Sequence, residues 1–166
     1  MISKKIASVI TSVMVFCCVV GVSLTNVKAD DSTPKSVDGS YLTSADSSTG
    51  YTPKNNERGK HLMDGQCSIS KTGTKRIYAY GSTTANHTVD AVAVIVYVDQ
   101  YNEKDDEWYQ IDAFSKKVEN DYYSAISKSI QVDRGYYYRV HADHFVRMGE
   151  EPVEETFSVT NGILVP

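Results

Sequence analysis

The chain has 166 residues and carries 21 acidic against 17 basic side chains, a formal net charge of −4. This length suits one domain and is too short for two with a linker. An acidic balance argues against binding to nucleic acid or to an anionic membrane, because such proteins carry a basic stripe. All 12 tyrosines follow residue 40, and Gly, Ser and Thr are frequent, a composition typical of β structure.

The first 29 residues have the pattern of an export signal. A short basic start precedes an apolar run over residues 6–24, and a small polar tail follows. Val27 and Ala29 provide the small side chains that a signal peptidase accepts, so we expect cleavage between Ala29 and Asp30. The product would be secreted and extracellular, without membrane contact after cleavage. The alternative is an uncleaved anchor, because the apolar run is long enough to span a bilayer.

Residues 30–57 are rich in Ser, Thr, Asp, Asn and Gly and contain almost no aliphatic side chain. Such a segment cannot bury enough apolar surface to offset the entropy lost on ordering, so we expect a flexible leader. The folded domain would then span residues 58–166. Its one cysteine, Cys67, is expected either to be buried or to pair with a second chain, because a single cysteine cannot form an internal disulfide.

Short runs with period-two alternation, separated by turn residues, begin near residue 60. The predicted strands are residues 67–71, 75–83, 89–101, 108–115, 123–132, 136–147, 155–159 and 163–165, with at most a helical turn over residues 116–121. The run 89–101 is apolar on both faces, which is typical of a central strand. Seven or eight strands without sustained helical periodicity predict an all-β antiparallel sandwich.

The residues around Tyr138 predict the type of sandwich. Tyr138 precedes Val140 and Ala142 on one face of a strand, a pattern that resembles the tyrosine corner of immunoglobulin-like and fibronectin-type sandwiches. Gly135, in the turn before it, can take a positive φ. We therefore expect Tyr138 and Gly135 to be structural residues of such a fold. Trp108 is expected to pack in the core, provided that a bulge adjusts its register.

A series of short motifs runs through the folded part of the chain. They are Arg58-Gly59, Gly65, Cys67-Ser68-Ile69, Gly81-Ser82-Thr83-Thr84-Ala85, Trp108, Gly135-Tyr136-Tyr137-Tyr138-Arg139-Val140, His144 and Thr160-Asn161-Gly162-Ile163. This series resembles a family of small secreted proteins from Gram-positive bacteria of the Firmicutes, a domain of unknown function. The resemblance implies an export signal, a variable leader and one β-rich domain. It implies no activity, cofactor or catalytic residue.

Tyr137, Arg139, His141 and Asp143 alternate with the predicted inward side chains of the strand that follows Gly135. We expect this row to face outward. Exposed Tyr and Arg side chains are typical of recognition surfaces, although the row could also serve only to stabilise an exposed sheet. The sequence therefore favours a non-enzymatic binding or interaction module without a cofactor. Its ligand would be a protein, a glycan or a second copy of the chain, and the oligomeric state stays open.

The alternative function is a metal-dependent secreted enzyme or toxin. His141, Asp143 and His144 form the densest group of potential metal ligands in the sequence. On a strand, His141 and Asp143 point to one side and His144 to the other, so the three could converge only at a kink. Zinc would need a fourth ligand from elsewhere in the chain. The other two histidines, His61 and His87, are candidates for it, but nothing in the sequence specifies either one. Since no activated nucleophile is recognisable either, we do not expect an enzyme.

Overall fold

The computed structural model describes residues 34–53 and 59–166. The predicted signal peptide, with its cleavage site at Ala29 and Asp30, lies outside the described residues. All regular structure in the described ranges is β, which confirms the predicted all-β class. None of these residues belongs to a helix long and apolar enough to cross a membrane.

The described residues form nine strands, two of them much longer than the rest. The strands are β1 (Ser36–Val37), β2 (Ser40–Thr43), β3 (Ser47–Tyr51), β4 (Leu62–Gly73), β5 (Arg76–Asn102), β6 (Glu107–Gln131), β7 (Tyr136–Arg147), β8 (Glu154–Val159) and β9 (Gly162–Val165). Each pair is antiparallel except β2 with β9, which is parallel. The sheet is therefore mixed, whereas a purely antiparallel one was predicted.

β5 and β6 form one long hairpin. Each of them joins two strands that were predicted to be separate: 75–83 with 89–101 in β5, and 108–115 with 123–132 in β6. Their ladder is interrupted where residues 85–88 of β5 lie opposite Tyr122 of β6. Extra residues on one strand bend a hairpin and increase its twist. Asn120 takes a φ of 54° beside this point. The helical turn predicted over residues 116–121 is wrong, because this segment continues the strand into the bend.

The bend separates the curled sheet into two layers that share β5 and β6. In the first layer, β3 and β4 flank the first half of β5. In the second layer, β7 flanks the second half of β5 and carries β8 and β9 on its other edge. β4 packs across the interior against β7 and β8, as the layers of a sandwich do. The immunoglobulin type of sandwich stays a prediction.

The core lies between the layers and is built by alternate side chains of β4, β5 and β7. Its fully buried members include Ile69, Ile77, Ala79, Val94, Val96, Val98, Val140 and Ala142. Cys67 belongs to the same cluster, and burial raises the pKa of its thiol to about 11. Gly81 faces Val94 and Val96 so closely that a Cβ would overlap the Val96 side chain. Glycine therefore sets how closely the layers approach.

The segment predicted as a flexible leader contains β1, β2 and β3. β3 pairs with β4 from Ser47 opposite Ser70 to Tyr51 opposite Gln66, and β2 pairs with β9. The prediction is wrong for the strands of this segment, although residues 54–58 lie outside the described residues. These polar strands order because their main-chain groups pair with neighbouring strands, which the lack of aliphatic side chains does not prevent. The domain thus begins before residue 58.

Candidate functional site

Tyr138 lies at the start of β7, above the turn that enters this strand. Its side chain is buried, and its hydroxyl donates a hydrogen bond to the main-chain oxygen of Asp133 at 2.9 Å. Gln100 Nε2 donates to the same hydroxyl at 3.3 Å. Burial raises the pKa of Tyr138 to about 12. Gly135, with a φ of 84°, supplies the left-handed conformation that the turn requires.

Arg139 follows on the outward face of β7, but it is not exposed. Its Nε donates to Asp99 Oδ2 at 2.9 Å, and its terminal nitrogens donate to Asp38 and to Ser40 Oγ. Only 7% of the Arg139 side chain is accessible. The predicted exposure of Arg139 is therefore wrong, because β1, β2 and the turn between them cover this part of the outward face.

Trp108 completes the cover over Arg139. The guanidinium lies 4.6 Å from the centre of the Trp108 ring, and the indole N–H donates to the main-chain oxygen of Val37 at 3.0 Å. The prediction that Trp108 packs in the core is wrong. A bulge is present, at Ile111, which has no partner between the pairs of Asp112 and Gln110. That extra residue turns Trp108 onto the outward face.

His141 shares the Asp99 carboxylate with Arg139. Its Nδ1 lies 3.0 Å from Asp99 Oδ2, and its ring stacks on Tyr97 with 4.6 Å between centres. Burial by itself raises the pKa of Asp99, but the hydrogen bonds and charges of His141 and Arg139 outweigh it and hold this pKa below its ordinary value. Asp99 thus acts as the buried anion that orients both side chains.

His141, Asp143 and His144 do not converge on one point. His144 is buried between the layers, with Nδ1 2.9 Å from Thr83 Oγ1 and Nε2 2.8 Å from Ser158 Oγ. His141 faces the opposite side of β7, toward Asp99. Within the described ranges, no group of three or more His, Cys, Asp or Glu side chains is arranged to hold a metal ion. The geometry therefore does not assemble the ligand set of the alternative prediction.

A cleft of about 750 Å³ opens beside the β5–β6 turn. Its lining combines three tyrosines, two carboxamides, three acidic side chains and one lysine; they are Tyr101, Tyr109, Tyr136, Gln100, Asn102, Glu103, Asp105, Asp133 and Lys104. We call it the tyrosine cleft. Tyr137 of the predicted row lies next to it, edge-on to Tyr101 at 6.4 Å between ring centres.

The inward face of the second layer forms part of the cleft, at an end that the first layer does not cover, whereas Tyr101 faces outward like its ladder partner Trp108. Tyr109 is the ladder partner of Gln100, which lies opposite Tyr138. Tyr136 precedes Tyr138 by two residues and so shares its face of β7. This face carries the core further along the strands, yet Tyr109 is 47% and Tyr136 45% exposed. The two rings are thus presented by rigid strands.

Hydrogen bonds orient the polar groups of the cleft. Asp105 Oδ2 accepts from the Tyr109 hydroxyl at 3.0 Å and from Asn102 Nδ2 at 2.6 Å. The bond to Asp105 raises the pKa of Tyr109 above its ordinary value. Tyr101 accepts from Lys35 Nζ and donates to Asp106, both at 2.7 Å. The aromatic rings and acceptors therefore stand in place before a ligand arrives.

The sequence interpretation missed the tyrosine cleft. Tyr136 could have been assigned to it, because its distance of two residues from Tyr138 places both on one face. Tyr109 could not have been assigned to it from the sequence. The extra residue Ile111 shifts the alternation of side chains by one, so each β6 residue before it lies on the face opposite to the expected one. The row that was predicted instead lies on the opposite face of the same layer.

No protein-family model matches the chain, and no curated protein matches it. The geometry of the tyrosine cleft is accordingly the basis for the function proposed below.

Proposed function

We propose that this chain is an exported, non-enzymatic binding module that holds a neutral glycan in the tyrosine cleft. The observation that carries this proposal is the combination, in one cleft of about 750 Å³, of two exposed tyrosine rings, those of Tyr109 and Tyr136, with carboxamide and carboxylate groups. A sugar ring has apolar C–H faces that can pack on an aromatic ring, and hydroxyls that need both donors and acceptors. Sites of this kind bind small ligands by a mostly preformed shape.

The charge of the lining narrows the ligand class. Glu103, Asp105 and Asp133 face the cleft against one lysine, Lys104. An acidic lining repels nucleic acid and acidic polysaccharides. The hydroxyls of a neutral sugar can donate to these carboxylates without a charge of their own. A basic peptide is the rival occupant, and its binding would weaken with added salt, because screening reduces charge attraction.

Export is supported by the signal-like first 29 residues, whose basic, apolar and small-residue parts follow in the order that signal peptides use. The prediction of export is tested by expressing the full chain in a bacterium and sequencing the amino terminus of the protein recovered from the medium. We expect the mature chain to begin at Asp30. An unprocessed, membrane-retained chain would contradict it.

Binding is tested with the secreted chain on a panel of immobilised neutral oligosaccharides, followed by titration calorimetry with those that bind. We expect Tyr109→Ala and Tyr136→Ala each to weaken binding by about tenfold, because each removes one stacking surface. Tyr122→Ala is the matched control, since Tyr122 is 56% exposed but lies at the bend of β6 outside the cleft.

The outcomes separate the two occupants. Glycan binding that is insensitive to salt and is weakened about tenfold in each of the two cleft variants supports the proposal. Absence of binding to every glycan, or equal loss in the Tyr122→Ala control, would overturn it. Salt-sensitive binding of basic peptides at the same cleft would replace the glycan by a peptide.

A further inference from the structure

A second cluster of polar side chains, separate from the tyrosine cleft, brings two histidine rings into edge contact. His61 Nδ1 lies 3.1 Å from His87 Nε2, and the ring planes are 78° apart. The other ring nitrogen of His61, Nε2, lies 3.2 Å from Glu151 Oε2. His61 is 5% exposed, whereas His87 is open to solvent. One imidazole is therefore fixed in place and the other is accessible.

The main chain holds the two histidines together without help from a ligand. His87 lies in the bulge of β5, where the N–H of Asn86 donates to the main-chain oxygen of His61 at 2.9 Å. Asn86 Nδ2 donates to the main-chain oxygen of Lys60 at 2.8 Å. On the other side, the Glu154 carboxylate accepts from the main-chain N–H of His61. The pair is thus preorganised, which reduces the ordering cost of binding.

We propose that His61 Nδ1 and His87 Nε2 bind a divalent transition-metal cation of the copper, nickel or zinc class. Imidazole nitrogens bind such ions at about 2.0–2.1 Å, so two nitrogens on one ion lie roughly 2.9–3.4 Å apart for angles between a right angle and the tetrahedral angle. The observed 3.1 Å falls within this interval.

Glu151 gives the pair the outer carboxylate that metal-binding histidines commonly have. A carboxylate on one ring nitrogen keeps the proton there and directs the lone pair of the other nitrogen toward the metal. Here the carboxylate holds Nε2 of His61, and Nδ1 is the nitrogen that faces His87. The role of Glu151 is that of a positioning residue, since it does not contact the ion.

The charge of the cluster and the number of its ligands determine which metal ions it should bind and how tightly. Among the described residues, Glu151 and Glu154 outweigh Lys60, whose Nζ lies 2.8 Å from Glu151 Oε1, and this balance favours a cation. Two imidazoles supply two ligands and solvent supplies the remainder, because His87 is exposed. Copper(II) should bind most tightly, as it heads the affinity order of the divalent ions at nitrogen sites. The affinity should be weaker than that of structural zinc sites, which use four protein ligands.

The test uses the exported chain purified without an added histidine tag and freed of metal with chelator. Titration calorimetry with Cu²⁺ and, separately, with Zn²⁺ should show one ion per chain and tighter binding of Cu²⁺. The electron paramagnetic resonance spectrum of the Cu²⁺ form should show two equatorial nitrogen ligands. His87→Gln should weaken Cu²⁺ binding at least tenfold and remove one of these nitrogens.

Two further variants distinguish residues that bind the metal ion from residues that do not contact it. Glu151→Gln should weaken binding by about tenfold or more while the two-nitrogen spectrum persists, because the outer carboxylate tunes the ligand without being one. His141→Gln, which alters a partly exposed histidine on Asp99, should leave binding unchanged. Circular dichroism confirms that each variant is folded. No saturable Cu²⁺ binding, or unchanged binding in His87→Gln, would overturn the proposal and leave a hydrogen bond between the rings.

Discussion

Arg139 and Asp99 form an ion pair that is buried on both sides. The exposed fractions of their side chains are 7% and 4%, and 2.9 Å separates Arg139 Nε from Asp99 Oδ2. A buried pair adds little stability relative to an apolar replacement, but losing one partner leaves a charge without compensation. The main role of the pair is therefore to hold β7 in position against β5 and the β1–β2 turn. It contributes little net stability.

Replacement of Arg139 by alanine should lower the free energy of unfolding by about 3–5 kcal/mol. The reason is that the Asp99 carboxylate stays buried but loses the positive charge of its Arg139 partner. Urea unfolding followed by circular dichroism measures this. Arg134→Ala is the matched control, since Arg134 is exposed and, among the described residues, donates a hydrogen bond only to the main-chain oxygen of Pro166. The control should lose less than about 1 kcal/mol. Equal small losses in both variants would contradict a buried role for Arg139.

At the scale of elements, β1 and β2 act as a cover over the outward face of the second layer. Ser40 Oγ donates to the main-chain oxygen of Thr160 at 2.8 Å, and the β1–β2 turn supplies Asp38 to Arg139. Trp108 lies beneath this cover and donates to Val37. The cover is held by hydrogen bonds and by the ion pairs of Asp38 and Lys35 more than by apolar burial, which explains why a polar sequence can build it.

Removal of the residues up to and including Thr43 should expose Trp108. This is the one tryptophan of the chain, so intrinsic fluorescence reports on it alone. We expect a red-shifted emission maximum and a lower free energy of unfolding, because the Trp108 ring and the Arg139 guanidinium become hydrated. A chain that begins at Pro34 keeps both strands and serves as the control. Unchanged emission after the longer truncation would show that Trp108 is covered by other residues.

The local alternation of side chains was sufficient to predict most of the strands and the facing of Tyr138, Val140 and Ala142. It failed wherever a distant pairing decided the outcome. Arg139 does face outward, but whether it is exposed depends on a cover from the far amino-terminal end. The facing of Trp108 and Tyr109 depends on a bulge at Ile111, and no local pattern marks the position of this bulge. The tyrosine cleft was missed for the same reason, since it requires the register of three strands at once.

The described residues build the two layers without a disulfide, and close packing around a buried polar centre holds these layers together. Gly65 lies against the His144 ring so closely that any Cβ would overlap it. Thr83 and Ser158 satisfy both ring nitrogens of His144. A neutral imidazole at this position suits an interior in which a charge would be unsolvated. The fit between the layers is thus linked to the protonation state of one side chain.

Acidification should therefore weaken the fold through His144. Burial lowers the pKa of His144 from 6.5 to about 4, although the charges of Asp143 and Asp64 act in the opposite direction. The unfolded chain binds a proton at a higher pH than the folded one, so the stabilisation is complete above pH 6.5 and declines as the pH falls toward 4. Between about pH 7 and pH 5 the free energy of unfolding should fall by about 2 kcal/mol from this group alone.

Urea unfolding at both pH values measures this loss, and the range stops above the pH at which most carboxylates titrate. His144→Gln replaces the imidazole by a group that does not titrate, so its free energy of unfolding should change by less between the two pH values, whatever its absolute stability. Val153→Ala alters an exposed side chain without a titratable group and should keep the pH dependence of the parent chain. Equal pH dependence in the parent chain and in His144→Gln would show that the buried imidazole does not control the acid stability of the two layers.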